Sequence, residues 1–529
     1  MPAGYWCPVL HAHLPYVRHP EYPDFLEEDW FFEALTETYV PLVRVLDGLL
    51  RDGVDYRLTM TLSPPLLSMM TDAVLVQRYH RHLDRLVTLA EKEVARTARE
   101  DSRFTDVARF YVAELSDIRR IFREVYASNL TRAFRQHRDA GKLEIITCGA
   151  THGFLPLMDT VPQAVRAQVQ VAVAHYRKHL ERDPMGIWLP ECGYMPGQER
   201  YLLEGGLRYS FLESHGLTDA VPRPSHGVLA PIISPGGIAF FGRDMESSRQ
   251  VWSAESGYPG DNDYREFYRD IGWELPLDYL GETVPDGLRK NVGIKYFRVT
   301  GKVALHDKQP YVPAWAREKA ASHAANFLGN RQLQVQHAAA GMALPPLVVS
   351  PYDAELFGHW WFEGPMFLDF LFRKMHFDQD VVKPITPPEY LDRHPECEVA
   401  QPPMSTWGAK GFAEVWLNPA NDWIYPHLDV AAERMVELAR RYPEADGLRR
   451  RALNQAAREL LLAQASDWAF IMKTGTTVEY ARKRTQGHVA RFTHLYRALM
   501  GQEPLREEVL HEFEDRDNIF PEIDYRVYR

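Results

Sequence analysis

Histidine and carboxylate side chains recur in this sequence at one kind of position, directly after a short apolar run. Tyr5–Leu10 is followed by His11-Ala12-His13, and Leu143–Cys148 by Gly149-Ala150-Thr151-His152. Gly186–Leu189 is followed by Pro190-Glu191, Ile238–Phe241 by Gly242-Arg243-Asp244, and Leu347–Ser350 by Pro351-Tyr352-Asp353. In a parallel barrel, reactive side chains collect at the C-terminal ends of strands, so these exits predict one shared mouth. Glu191 and Asp353 are the strongest pair. Two carboxylates facing each other across a cleft are the minimal equipment for glycoside chemistry: one attacks or stabilises the oxocarbenium-like centre, the other gives and takes the proton. The same groups could instead form a salt bridge or cap a helix.

His11 and His13 lie two residues apart on a strand end and so share a face. With His152 and an aspartate they could bind a metal, or they could hydrogen-bond substrate hydroxyls. No HxxEH-type or cysteine-rich ligand set supports the metal. Trp30, Trp273, Trp360, Trp361, Trp407, Trp416, Trp423 and Trp468 stand in or near polar, glycine-containing segments. Indole faces suit the apolar faces of sugar rings, so a row of them suits a long glucan; some of the eight belong to the core. No GxGxxG, GxxxxGK[ST] or GxSxG element is present, so neither nucleotide binding nor a serine hydrolase is indicated.

The elements that must hold these residues are those of an α/β chain. Apolar runs at Tyr5–Leu10, Arg57–Leu62, Leu143–Cys148, Gly186–Leu189, Tyr209–Leu212, Ile238–Phe241, Tyr296–Val299 and Leu347–Ser350 alternate with helical patterns, which predicts a parallel sheet. So many strands over the first two-thirds of the chain fit a closed barrel better than a small open sheet. Two long helical patterns between about 65 and 135 form a helical insertion. Pro384, Pro387, Pro388, Pro395, Pro402 and Pro403 crowd one segment and mark a boundary near 385/386. Beyond it, stripes such as Ala481, Thr485, His488, Phe492, Leu495 and Leu499 predict a helical unit over 386–529.

With 529 residues, 45% hydrophobic and 25% charged, the chain is globular, and a net charge of −11 without a basic run excludes a general nucleic-acid or anionic-membrane binder. Cys7, Cys148, Cys192 and Cys397 form no CxxC pair, which predicts a reducing, cytoplasmic setting without disulfides. Neither a signal peptide nor a membrane span is visible.

Five segments resemble glycoside hydrolase family 57, and within it the 1,4-α-glucan branching type. They are His11-Ala12-His13-Leu14-Pro15-Tyr16-Val17, Ala150-Thr151-His152-Gly153, Trp188-Leu189-Pro190-Glu191-Cys192-Gly193-Tyr194, Ser350-Pro351-Tyr352-Asp353-Ala354-Glu355-Leu356-Phe357-Gly358-His359-Trp360-Trp361, and Ala465-Ser466-Asp467-Trp468. The resemblance implies a (β/α)7 barrel over 1–385 and a helical unit that closes one side of the cleft. It implies Glu191 as nucleophile, Asp353 as general acid/base, retention of the α-anomer, and no cofactor or metal. Substrate contacts would come from His11, His13, His152, Arg243, His359, Trp360, Asp467 and Trp468, and aromatic subsites from Trp30, Trp273, Trp407 and Trp416. The implied partner is an α-1,4-glucan such as amylose or glycogen, acted on by a monomer or small homo-oligomer, with α-1,6 branches as product. Some branching members carry a tyrosine at the tip of a loop over the cleft; residues 221–242 contain none. α-Amylase or 4-α-glucanotransferase activity uses the same carboxylates and is the alternative. A metal-dependent deacetylase or amidohydrolase using His11, His13 and Asp353, or a non-catalytic glucan binder, would belong to a different class.

Overall fold

The computed structural model describes residues 2–253, 256–285 and 287–529. Its centre is a parallel sheet built from runs that are buried on both faces, as parallel strands between helices must be. The strands are β1 (Gly4–Ala12), β2 (Leu58–Leu62), β3 (Leu143–Cys148), β4 (Gly186–Trp188), β5 (Tyr209–Leu212), β6 (Ile232–Ile233), β7 (Ala239–Gly242), β8 (Leu347–Asp353), β9 (Val382–Pro384) and β10 (Glu398–Val399). The main path runs β7-β5-β4-β3-β2-β1-β8, every neighbour parallel. Short β6 pairs antiparallel with β7, β10 extends it, and β9 pairs with the start of β1. No ladder joins β7 to β8. The gap is bridged by the Asp244 amide, which donates to the Val349 carbonyl at 2.8 Å, so the sheet closes as a distorted (β/α)7 barrel.

Strand period places the site. Tyr5, Cys7 and Val9 pack in the apolar cluster with Cys148, Trp188, Phe211, Phe241, Leu347 and Val349, the alternate residues that fill the barrel. Continuing that alternation points His11 to the same interior. The β1–β8 register sets His11 directly against Asp353.

Helices Ala73–Glu100 and Thr105–Arg120 form the insertion, the first capped by Asp72, which accepts from the Leu75 amide. A second long connection, from β7 to β8, ends in helix Pro313–Ala339. The expected strand at Tyr296–Val299 lies in this connection and is not a strand. Its backbone pairs locally, with Tyr264, Glu266, Gln309 and Tyr311, in isolated bridges rather than in a ladder with the sheet. The proline-rich segment is not a loose linker: Pro387–Arg393 is helical with Tyr390 edge-on to Tyr5, and Ala400 donates to Ile233. Helices Tyr425–Arg441, Gly447–Ala463, Ser466–Thr474 and Val478–Leu499 follow. They meet the barrel through an apolar cluster of Phe154, Trp416, Ile424, Leu428, Ala465 and Trp468. Among the described residues no helix is long and apolar enough to cross a membrane.

Candidate active site

The C-terminal strand ends converge, and the helical unit reaches in to meet them. Glu191 sits on a tight turn, Pro190–Cys192, three residues beyond β4. Its φ of 62°, with 49° at Cys192 and 60° at His152, puts three non-glycine residues in the left-handed region. Such conformations persist where the surroundings over-determine them, and they cluster at functional sites. The Glu191 side chain is 12% exposed. It accepts from Trp407 Nε1 at Oε2 and from Ser466 Oγ at Oε1, both at 3.0 Å. The Trp407 amide also donates to the Glu191 carbonyl. Asp353 is the one exposed residue of β8.

Around these carboxylates lies a stack of imidazoles. His13 and His152 stack nearly parallel, with ring centres 3.8 Å apart, and His11 stacks on the floor indole Trp188 at 4.8 Å. His13 Nε2 lies 3.1 Å from Asp467 Oδ1, and its Nδ1 lies 2.9 Å from Ser63 Oγ. Burial works to depress the pKa of His13, but the Asp467 carboxylate prevails and raises it. Burial holds His11 and His152 well below the usual range, helped by the charge on His13, so both are neutral. Burial lifts Glu191 to about 7, assisted by Asp467 and Asp353 and opposed by its two hydrogen bonds. Desolvation by the surrounding cleft walls likewise lifts Asp353 to about 6, against Arg243 and His13. Arg243 is fixed by Glu213 and Ser248 and lies over the Trp407 ring.

Ligand-type groups within 4.8 Å of one another here are His11, Cys148 and His152, and His13, His152 and Asp467. Asp353 is in neither group, so the alternative metal set of His11, His13 and Asp353 is not assembled. The ring nitrogens are engaged in hydrogen bonds, His11 Nδ1 excepted.

Several expected contacts lie elsewhere. Trp416 and Trp468 are each 1% exposed, which makes them packing residues rather than sugar platforms. Trp416 stacks on Phe154, and Trp468 donates to the Leu462 carbonyl. Their neighbours come from both the barrel and the helical unit, and the interface between the two covers them. Trp360 and Trp273 are exposed, at 57% and 54%, Trp360 stacking on Phe267 and Trp273 donating to Asn291. Trp30 is half-buried, edge-on to Tyr480. His359 is bound to Glu37 at 2.8 Å. The tyrosine-free segment is tied down through Val221 and Gln401, which pair in both directions, and through Ser225 and Glu398.

Three residues beside the carboxylates were not legible as functional. Ser466 adjoins Asp467 in the fifth segment, and that adjacency was its only signal. Glu355 follows Asp353 by two residues; it accepts from the His13 amide and from Tyr39 Oη, and burial lifts it to about 7. Tyr39 had no local signal at all. A π-helical turn, Leu35–Tyr39, carries it in and presses against Gly358. Gly358 has φ +127°, and a Cβ there would stand 1.9 Å from the Glu37 carbonyl oxygen. Gly358→Ala should therefore cost roughly 3 kcal/mol or more, seen as a lower midpoint in urea denaturation. An unchanged midpoint would show that the π-turn yields freely.

The glycosyl hydrolase family 57 model matches residues 9–403, and the model described as 1,4-alpha-glucan branching enzyme, C-terminal, matches residues 427–528. A 1,4-alpha-glucan branching enzyme from Thermococcus kodakarensis is 33% identical over 98% of this chain and 77% of its own length. Among solved structures, the α-amylase AmyC from Thermotoga maritima superposes with a TM-score of 0.93 at 45% identity, covering 100% of this chain and 99% of its own. A branching enzyme of the same family from Pyrococcus horikoshii superposes with a TM-score of 0.89 at 34% identity, covering 99% and 97%. With its barrel, its strand-end carboxylates and a family match over most of its length, this chain belongs to glycosyl hydrolase family 57.

Proposed function

We propose that the protein is a retaining α-glucan transglycosylase that cleaves α-1,4 bonds and passes the cleaved chain to a 6-hydroxyl, forming α-1,6 branches. The observation that carries this reading is the site itself, two carboxylates at facing strand ends with a helical unit of the branching-enzyme type closing over the nucleophile turn. Asp353 protonates the glycosidic oxygen while Glu191 attacks C1, giving a β-glucosyl-enzyme. Asp353 then takes the proton from the acceptor 6-hydroxyl as that oxygen attacks C1 and the ester breaks. Double displacement calls for a carboxyl separation of about 5–5.5 Å. His11, His13, His152 and Asp467 surround the sugar whose bond breaks, Trp407 and Arg243 wall the opposite side, and Trp30, Trp273 and Trp360 extend the glucan track. Residues 1–385 supply the catalytic barrel, and 386–529 complete the cleft. Four unpaired cysteines support a reducing, cytoplasmic setting.

Hydrolysis is the second reading, supported by the 45% identity to the amylase and by the tyrosine-free segment. Product choice depends on whether water or a 6-hydroxyl reaches the intermediate. Linear amylose, followed by proton NMR for α-1,6 linkages and by a reducing-end assay in the same time course, decides between them. Branch points should rise well ahead of reducing ends. Reducing ends without branch points would make the protein an amylase of this family.

A further inference from the structure

One hydroxyl proton on Ser466 has two neighbours to serve. Ser466 Oγ lies 3.0 Å from Glu191 Oε1 and 2.8 Å from His152 Nδ1. His152 Nε2 lies 3.0 Å from His11 Nε2, and His11 Nδ1 ends the chain, buried and without a partner among the described residues. A hydroxyl carries one proton, and each neutral imidazole carries one, so all the protons along this chain must point the same way. If they point toward Glu191, His11 Nε2–H donates to His152 Nε2, His152 Nδ1–H donates to Ser466, and Ser466 donates to the carboxylate. His11 Nδ1 is then a bare acceptor. If they point away, a protonated Glu191 donates to Ser466, Ser466 to His152 Nδ1, and His152 Nε2–H to His11. That setting strands an N–H at His11 Nδ1 in the barrel interior. An orphaned buried donor is the rarer and costlier outcome, so the first setting wins.

Two further observations hold the chain in place. The Ser466 amide donates to the His152 carbonyl at 3.0 Å, which locks the helical unit to the imidazole. The His13 ring, whose pKa Asp467 raises, lies flat on His152, and its protonation disfavours a second positive charge there.

We propose that Ser466 is a positioning residue that holds Glu191 as the ionised acceptor at the end of a one-way chain, His11 to His152 to Ser466 to Glu191. The inference rests on Glu191 being the nucleophile. It makes seating of the helical unit a condition for a competent nucleophile, because the last donor belongs to that unit. The charged and titratable groups facing Glu191 come from every surrounding element: Asp467 beside Ser466, Asp353 at the end of β8, His11 on β1 and His13 just beyond it, and His152 beyond β3. Burial and the two carboxylates favour a protonated Glu191, and the Trp407 and Ser466 bonds, with His13, oppose them and favour the anion.

The test uses the full chain, with Ser466→Ala and Ser466→Thr assayed on amylose across pH. Losing one hydrogen bond to a carboxylate should raise its pKa, so the acid limb of kcat/KM should move up by about one pH unit in Ser466→Ala. kcat should fall roughly 10- to 100-fold with KM nearly unchanged, the signature of a lost transition-state interaction. Ser466→Thr, which keeps the hydroxyl, should restore most of both. An acid limb that stays in place in Ser466→Ala would overturn the proposal. Nitrogen-15 NMR of histidine-labelled wild-type protein reads the same chain without any variant: the proton should sit on Nδ1 of His152 and on Nε2 of His11. The opposite tautomers would also overturn it. Glu191→Gln separates the two levels. If it stays active, the nucleophile role fails and the inference with it; if it is dead while Ser466→Ala keeps its acid limb, only the inference fails.

Discussion

Glu191→Gln should abolish transfer and hydrolysis together, with kcat at least about 10⁴-fold lower, because both products descend from one covalent intermediate. The substitution keeps the shape of the side chain but removes the attacking oxygen. It also sets an amide NH2 against one of two existing donors, Trp407 Nε1 or Ser466 Oγ. The smaller variant Glu191→Ala gives the sharper readout. With the side chain gone, added azide can reach C1 from the side that Glu191 occupied. An activated α-glucosyl donor should then yield the β-glucosyl azide, an inverted product. Residual glucan activity above about 1% would remove Glu191 from the nucleophile role.

Asp353→Ala should slow turnover of amylose about 10²- to 10⁴-fold, the usual worth of a positioned acid/base. A donor with a good leaving group needs no proton at departure, so its first step should be affected far less. The intermediate still forms on Glu191, and azide should now trap it from the opposite face as the α-glucosyl azide. Opposite anomers from the two variants would establish the two roles in one experiment; the same anomer from both would refute the assignment.

The pH profile follows from the same pair. Glu191 must be ionised to attack, so activity falls as pH drops through its pKa. Asp353 must be protonated to donate, so activity falls as pH rises through its own. Desolvation places them at about 7 and about 6, and the charge of Asp353 raises Glu191, so the two titrate as a coupled pair near neutrality. Glucan entering the cleft strips water mainly from Asp353, the more exposed of the two, which favours the proton on Asp353, as attack by Glu191 requires. The wild-type kcat/KM profile should be a narrow bell centred near neutral pH, and Asp353→Ala should lose its alkaline limb. A flat profile from about pH 4 to 9 would contradict the pairing.

Much of the site was legible because strand physics is local. Apolar runs that end in His, Glu or Asp mark strand exits, and a period of two puts His11 and His13 on one face. Seven of the eight expected strands are present, and the histidines and carboxylates singled out in the sequence stand where those strands end. The exception, Tyr296–Val299, has strand-like composition, but its backbone partners belong to its own long connection. Composition encodes what a segment can bury; it does not encode which edge is free to pair with it.

The sequence by itself determined the alternation of strand and helix, the two carboxylates, the imidazoles beside them and the family. Each of these is written in a stretch of a dozen residues or fewer. Tertiary structure alone decided which indoles face solvent and which are core, since Trp416 and Trp468 are covered by elements distant in the chain. It alone joined Ser466 to Glu191 across 275 residues, and Tyr39 to Glu355 across 316. The physical reason is the reach of the forces. Backbone periodicity acts over a few residues, whereas burial and hydrogen bonding act between whatever surfaces the fold brings within about 3–4 Å.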